Sequence, residues 1–207
     1  MQLFCHYCTH GFSNCYILGS EETPRQALLI DPGSLDTEII NIIEENEYTL
    51  AGVLVTHTHR HHIQGLNTLL RIYQADIYAI ASEIGEHTAR RVSDGETITI
   101  GPFTVEVISV PGHTADSAVF RVGRFLFTGD VLSAGLIGSA ASPYGAAVEV
   151  RALRGRIFPL PGNYFIFPGH GPPSSLEAER RFNEGLRSWE AHNARRPRFK
   201  ADLEFLN

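Results

Sequence analysis

Ala51-Gly52-Val53-Leu54-Val55-Thr56-His57-Thr58-His59-Arg60-His61-His62 runs from an apolar segment straight into a crowd of histidines. Residues 51–56 form a short apolar run, which predicts a buried strand. The second half holds four of the chain's ten histidines within six residues. A histidine-rich tract can be an affinity tag, but this one lies inside the fold, directly after a hydrophobic strand.

Outward from this stretch, strand and helix patterns alternate in two groups. Upstream, Cys15 to Leu18 and Ala27 to Ile30 predict strands, the second ending at the turn Asp31-Pro32-Gly33. Ile39, Ile40, Ile42 and Ile43 fall near helical spacing and predict a helix over 35–46. Downstream, 63–74 predicts a helix, 76–80 a strand and 82–90 a short helix. Hairpins are expected around Gly101-Pro102 and around Gly123. The Gly-, Ala- and Ser-rich stretch 131–146 reads as a loop, 147–157 as weakly helical, 164–167 as a last strand and 174–194 as helical. Strands followed by helices, twice over, suit an α+β αββα sandwich: two mixed sheets packed face to face with helices outside. No linker interrupts the pattern, so 1–207 is expected to be one domain, with 184–207 a C-terminal helix and tail.

Composition sets the outer limits. A chain of 207 residues, 43% hydrophobic and 19% charged, describes an ordinary globular protein. A formal charge of −6 with scattered Arg and Lys excludes the clustered basic face that nucleic-acid binding needs. No apolar run is long enough for a membrane helix, and Met1 to His10 lacks the pattern of a secretory signal, so the expectation is a cytoplasmic protein with a small-molecule substrate. The tail Arg195-Arg196-Pro197-Arg198-Phe199-Lys200 is too short to argue for nucleic acid. With Leu203, Phe205 and Leu206 it suits docking on the body or on a partner subunit of a homo-oligomer. Cys5, Cys8 and Cys15 are an odd number, which argues against a disulfide framework. Cys5-His6-Tyr7-Cys8 has knuckle spacing, but the simpler reading is a first strand with Cys5 turned into the core.

Two further histidines follow tight turns, in Pro111-Gly112-His113 and Pro168-Gly169-His170-Gly171, and Thr128-Gly129-Asp130 likewise follows a predicted strand. Strand ends on one edge can bring such loops together. Imidazole is the commonest zinc ligand and suits iron, while a carboxylate such as Asp130 can bridge two divalent cations. Two cations sharing a water lower its pKa towards neutrality, which is the chemical reason to gather neutral donors beside one carboxylate. Taken singly, His113 and His170 are ordinary turn histidines and Asp130 a turn aspartate. Taken together with the cluster, they predict a metal site.

These blocks, in this order, resemble the metallo-β-lactamase superfamily and, within it, the glyoxalase-II-like hydrolases. The family signature Thr-His-x-His-x-Asp-His-x-x-Gly is matched by Thr56-His57-Thr58-His59-Arg60-His61-His62-Ile63-Gln64-Gly65. The opening strands match in Asn14-Cys15-Tyr16 and Leu29-Ile30-Asp31-Pro32-Gly33, and the later blocks around His113, Asp130 and His170. The resemblance implies two divalent metal ions, zinc foremost, with iron or manganese as alternatives. His57, His59 and His113 would hold the first, His62 and His170 the second, and Asp130 would bridge them. Asp31 would bond a ligand histidine or simply close its turn.

The chain departs from the family at one central position, where His61 replaces the signature's Asp. His61 either ligates the second metal in its place, points away and leaves that site weak, or marks lost activity; the first is the expectation, with Asp130 and His61 as the catalytic residues. The resemblance implies a hydrolase of a small thioester or related ester, in the short form without a C-terminal helical domain. The alternatives are a mononuclear iron persulfide dioxygenase-like oxidoreductase and a metal-binding protein with weak or lost activity. Relatives often carry an Arg shortly after the Gly-Asp block; here the stretch reads Ile137-Gly138-Ser139-Ala140, and 133–147 offers a glutathione carboxylate little to pair with. Arg60 and Tyr144 are expected to face solvent.

Overall fold

Residues Gln2–Cys8 (β1), Ser13–Gly19 (β2) and Gln26–Ile30 (β3) form an antiparallel meander in the computed structural model, which describes residues 1–194. The basic and apolar tail residues from Arg195 onward lie outside the described residues. Along β2, Cys15 and Ile17 point to one face while Tyr16 and Leu18 point to the other; β3 repeats this with Ala27 and Leu29 against Leu28 and Ile30. Strands apolar on both faces require cover on both.

One cover is helical. Thr37–Glu45 (α1) starts at Asp36, whose carboxylate accepts from the Glu38 and Ile39 N–H groups, satisfying two donors that a helix start leaves open. Thr49–Leu54 (β4) then runs parallel to β3. Arg60–Ile63 (α2) and Leu66–Ile72 (α3) follow, and Ile77–Ala79 (β5) adds a further parallel strand. Glu83–Ile84 (β6) pairs with His87–Thr88 (β7), and Arg90–Arg91 (β8) completes a six-stranded sheet of order β1-β2-β3-β4-β5-β8. Ile39, Ile43, Leu66 and Leu69 pack α1 and α3 onto its outer face.

The second sheet is built in the same way. Thr97–Ile100 (β9), Phe103–Ser109 (β10), Ala118–Val122 (β11) and Phe125–Gly129 (β12) are antiparallel neighbours. Leu132–Ser133 (β13) and Leu136–Ile137 (β14) form a short hairpin before helix Pro143–Ala152 (α4), which continues as a π-helical turn at Leu153–Ile157. Phe165–Pro168 (β15) lies parallel to β12, and Ser174–Ser175 (β16) closes the order β16-β15-β12-β11-β10-β9. Leu176–Phe182 (α5) and Glu184–Ala194 (α6) end the described chain. Leu153, Ile157 and Leu176 cover the outer face of this sheet. Between the sheets, Tyr16, Leu28, Leu54, Phe103, Phe120 and Phe127 fill a continuous apolar layer. Each such side chain contributes about 1.5–3 kcal/mol on burial. The architecture is the αββα sandwich expected from the sequence.

Four local expectations are corrected. The stretch 82–90 is the β6–β7 hairpin and not a helix: only Ile84 and Ala89 are buried there, five residues apart, which gives a helix no apolar face. The stretch 131–146 is not all loop, since it contains β13, β14 and the start of α4. The helix expected over 174–194 is instead β16, α5 and α6, broken at Asn183, whose side chain is spent on the Leu136 carbonyl, Glu179 and the Leu186 N–H. And Cys5 is exposed while Cys8 and Cys15 are buried, because Phe4 and Cys8, on the other face of β1, meet the helix layer. None of the cysteines joins a metal-holding group among the described residues. No helix among those residues is long and apolar enough to cross a membrane.

Candidate metal centre

Both sheets deliver residues to one edge. The chain leaves β4 extended through His57 and His59, and α2 begins at Arg60, so His61 and His62 sit on the first helical turn. His113 follows β10, Asp130 follows β12 and His170 follows β15. Parallel pairing of β12 with β15 sets Gly129 against Pro168, which places Asp130 and His170 at the same strand ends. The Ala118 N–H donates to the Thr56 carbonyl at 2.9 Å, tying the second sheet to the first beside the site. Gly169 lets its turn come this close: a Cβ there would lie 2.4 Å from Asp130 Oδ1 and 2.5 Å from His62 Cε1.

Asp130 is the hub. Its Oδ2 lies 3.7 Å from His57 Nε2, 3.7 Å from His61 Nε2, 3.5 Å from His113 Nε2 and 3.6 Å from His170 Nε2, and its Oδ1 lies 3.3 Å from His62 Nε2. His59 Nδ1 is 3.0 Å from both His57 Nε2 and His113 Nε2. Two sets of donors lie within 4.8 Å of one another: His57, His59, His113 and Asp130, and His57, His61, His62 and Asp130. His170 stands at the rim of the second set, its ring centroid 4.8 Å from that of His61. All seven residues singled out from the sequence are therefore brought together, and His61 points inward.

The donor set fits metal ions. Nitrogens bound at 2.0–2.1 Å to a tetrahedral ion lie roughly 3.3 Å apart, close to the spacing of the first set. His61 Nε2, His62 Nε2 and Asp130 Oδ1 are buried without a hydrogen-bond partner, an unfavourable state for polar atoms unless a cation takes the lone pairs. The far side of several rings is already fixed. His113 Nδ1–H donates to the Ser139 carbonyl at 2.6 Å and His170 Nδ1–H to the Phe12 carbonyl at 2.7 Å, which leaves each Nε2 lone pair aimed at Asp130's surroundings.

Asp31, 2% exposed, supports two more rings. Its Oδ1 accepts from the Thr56 N–H at 2.8 Å and its Oδ2 from the Thr56 hydroxyl at 2.7 Å; that hydroxyl in turn accepts from His57 Nδ1 at 3.0 Å. The same Oδ2 lies 3.2 Å from His62 Nδ1. One carboxylate thus turns the Nε2 atoms of His57 and His62 towards the site.

Charge follows position. Burial, then the neighbouring His62, pushes His57 down to about 3, so it stays neutral. Burial would also lower His62, but Asp130 and Asp31 outweigh it and raise it to about 9. Burial works against ionisation of Asp130, yet His62, His57 and His170 hold it well below the usual carboxylate range. His61 is lowered by burial and by His62 and His170, and His59 by burial and His113.

Sequence reasoning missed the carbonyls of Ser139 and Phe12, which carry no side-chain signature, and it missed Glu149. Glu149 is completely buried on α4, and burial lifts it to about 7. Its signal was present: it is the one charged side chain between Asp130 and Arg151. Arg60 and Tyr144 face solvent, Tyr144 with 80% of its surface exposed.

Known proteins resemble this chain in sequence and fold. The chain is 32% identical over 180 residues to the mitochondrial persulfide dioxygenase ETHE1 of Bos taurus, covering 83% of this chain and 70% of that protein. It is 28% identical over 164 residues to the hydroxyacylglutathione hydrolase of Hahella chejuensis, covering 77% and 63%. The crystal structure of ETHE1 from Myxococcus xanthus superposes with a TM-score of 0.81 at 27% identity, covering 96% of this chain and 93% of that one. Residues 8–170 match the model of the metallo-beta-lactamase superfamily, and with this fold and this strand-end cluster the chain belongs to that superfamily.

Proposed function

We propose that the chain is a metal-dependent hydrolase acting on a small, weakly charged thioester or related ester. The observation that carries this reading is the gathering of six imidazoles at one carboxylate: five have Nε2 within 3.7 Å of Asp130, and His59 lies 3.0 Å from two of those five. His57, His59 and His113 would hold one divalent ion, His61, His62 and His170 a second, and Asp130 would face both. When bound, two such ions lower the pKa of a shared water towards neutrality and polarise a substrate carbonyl.

The chain's own groups prepare that chemistry. Asp130 stays ionised and central. Asp31, Ser139 and Phe12 hold four imidazoles in one tautomer and orientation, which removes reorganisation from the reaction. A donor set of six imidazoles and one carboxylate favours zinc over oxygen-preferring cations. The stretch 133–147 bears no charged side chain, which supports a substrate less anionic than a glutathione conjugate.

The test is elemental analysis of purified protein beside a panel of thioesters, lactones and esters. Two zinc ions per chain with chelator-sensitive thioester cleavage is the expected result. A single iron per chain, with oxygen uptake on a persulfide and no ester cleavage, would replace this reading with the reaction named for the bovine relative. Stoichiometric metal with no turnover on any substrate would reduce the protein to a metal-binding module.

A further inference from the structure

We propose that Glu149 is a positioning residue for the first metal position: its buried carboxylate pins the Pro111-Gly112-His113 turn to helix α4 and so aims the imidazole of His113. The inference rests on the reading of that position as a metal site.

A carboxyl group taken wholly out of water needs polar partners in either protonation state, because a buried polar group left unpaired is costly. Among the described residues no side chain supplies them to Glu149, and neither oxygen closes a hydrogen bond of good geometry. The backbone of both segments lies against it: a Cβ on Gly138 would fall 2.6 Å from Glu149 Oε1 and one on Gly112 2.3 Å from Glu149 Cβ, so the Gly138 and His113 N–H groups face the carboxyl, with Asp130 as the nearby charge. The Gly138 N–H already donates to the Val131 carbonyl at 3.1 Å, whereas the His113 N–H has no backbone acceptor among the described residues, so His113 depends more on Glu149.

Both segments serve one ring. His113 carries the imidazole, and Ser139, beside Gly138, accepts from its Nδ1. Glu149 therefore gathers the backbone that bears this ligand and the backbone that orients it. Gly112 makes the approach possible. It sits at φ +145°, and a Cβ there would lie 2.3 Å from Glu149 Cβ and 2.6 Å from the Gly145 carbonyl. Only glycine lets the turn lie this close to the helix. His113 Nε2 is 3.0 Å from His59 Nδ1, so a small drift of the turn opens the His57, His59 and His113 set.

The experiment compares wild type with Glu149→Gln and Glu149→Leu. Gln keeps the shape and one acceptor oxygen; Leu keeps apolar volume and no acceptor. Zinc affinities are measured by competition with a chromophoric chelator, and the cobalt-substituted proteins are compared by visible absorption. The expected result is that Leu weakens one of the two binding steps by roughly tenfold to a hundredfold and alters the cobalt spectrum, that Gln does so less, and that the other step is unchanged. A folded Leu variant with both affinities and the spectrum of wild type overturns the proposal. So does failure of both variants to fold, which would make Glu149 a residue of the fold alone. Absence of metal binding in wild type would instead remove the hydrolase reading.

Discussion

His61 stands where the family signature has an aspartate, and the choice changes the charge of the centre while keeping a donor in place. Its Nε2 is buried, faces Asp130 and lacks a hydrogen-bond partner, so the side chain is aimed as a ligand is aimed. An imidazole binds metal only when neutral. Burial and the flanking His62 and His170 lower its proton affinity, so it is neutral at pH 7 and becomes a poorer ligand only as pH falls below the ordinary imidazole range near 6.5. A carboxylate at this position would compete with protons only near pH 4 and would add a negative charge. His61→Asp should therefore bind its second metal more tightly and lose it at lower pH than wild type. Metal content measured from pH 5 to 8 checks this, and coincident curves for the two proteins would exclude His61 from the second position.

At the scale of elements, the loops that carry the site depend on helices that begin where capping residues place them. Ser142 has extended backbone, its hydroxyl accepts from the Gly145 N–H, and Pro143 occupies the first turn, so α4 starts there. Ser142→Ala should cost about 1 kcal/mol, read as a lower midpoint in urea with an unchanged slope. A midpoint equal to wild type would mean that α4 is held by the burial of Glu149 and Val150 and by the packing of the π-helical turn that continues it. This start was not legible in the sequence, because α4 has Ala, Gly and a buried Glu on its inner side and shows no apolar periodicity. The β6–β7 hairpin was hidden for the opposite reason: Ser82 to Arg90 has helix-forming residues, and tertiary pairing overrides them. The strands β2, β3 and β4 were legible, since each is apolar on both faces; β2 and β3 end in turn signals and β4 runs into the histidine cluster. The site was legible to the same degree. Its ligating side chains follow strands and tight turns, whereas its supports at Ser139 and Phe12 act through carbonyls that any residue could present.

For the whole molecule, the centre joins the two halves of the sandwich. His57, His59, His61 and His62 come from the first sheet and its following helix, and His113, Asp130 and His170 from three strand ends of the second. Away from this edge the contact between the sheets is an apolar layer. At this edge, however, the packing is replaced by crowded imidazoles, offset by the carboxylates of Asp130 and Asp31. Bound metal converts that frustrated edge into a cross-link, and any ligand that binds only the folded state raises stability by mass action. Each position at a hundredfold excess of metal over its dissociation constant would add about 2.7 kcal/mol. In a domain of this size 1 kcal/mol moves the melting temperature by about 2–4 °C. Chelator treatment should thus lower the melting temperature by roughly 5–10 °C per emptied position, and readdition of zinc should restore it. Scanning calorimetry at several zinc concentrations makes the comparison. The midpoint should climb with the logarithm of free zinc, and a midpoint indifferent to zinc and chelator would show that the sheets are joined by their apolar layer alone.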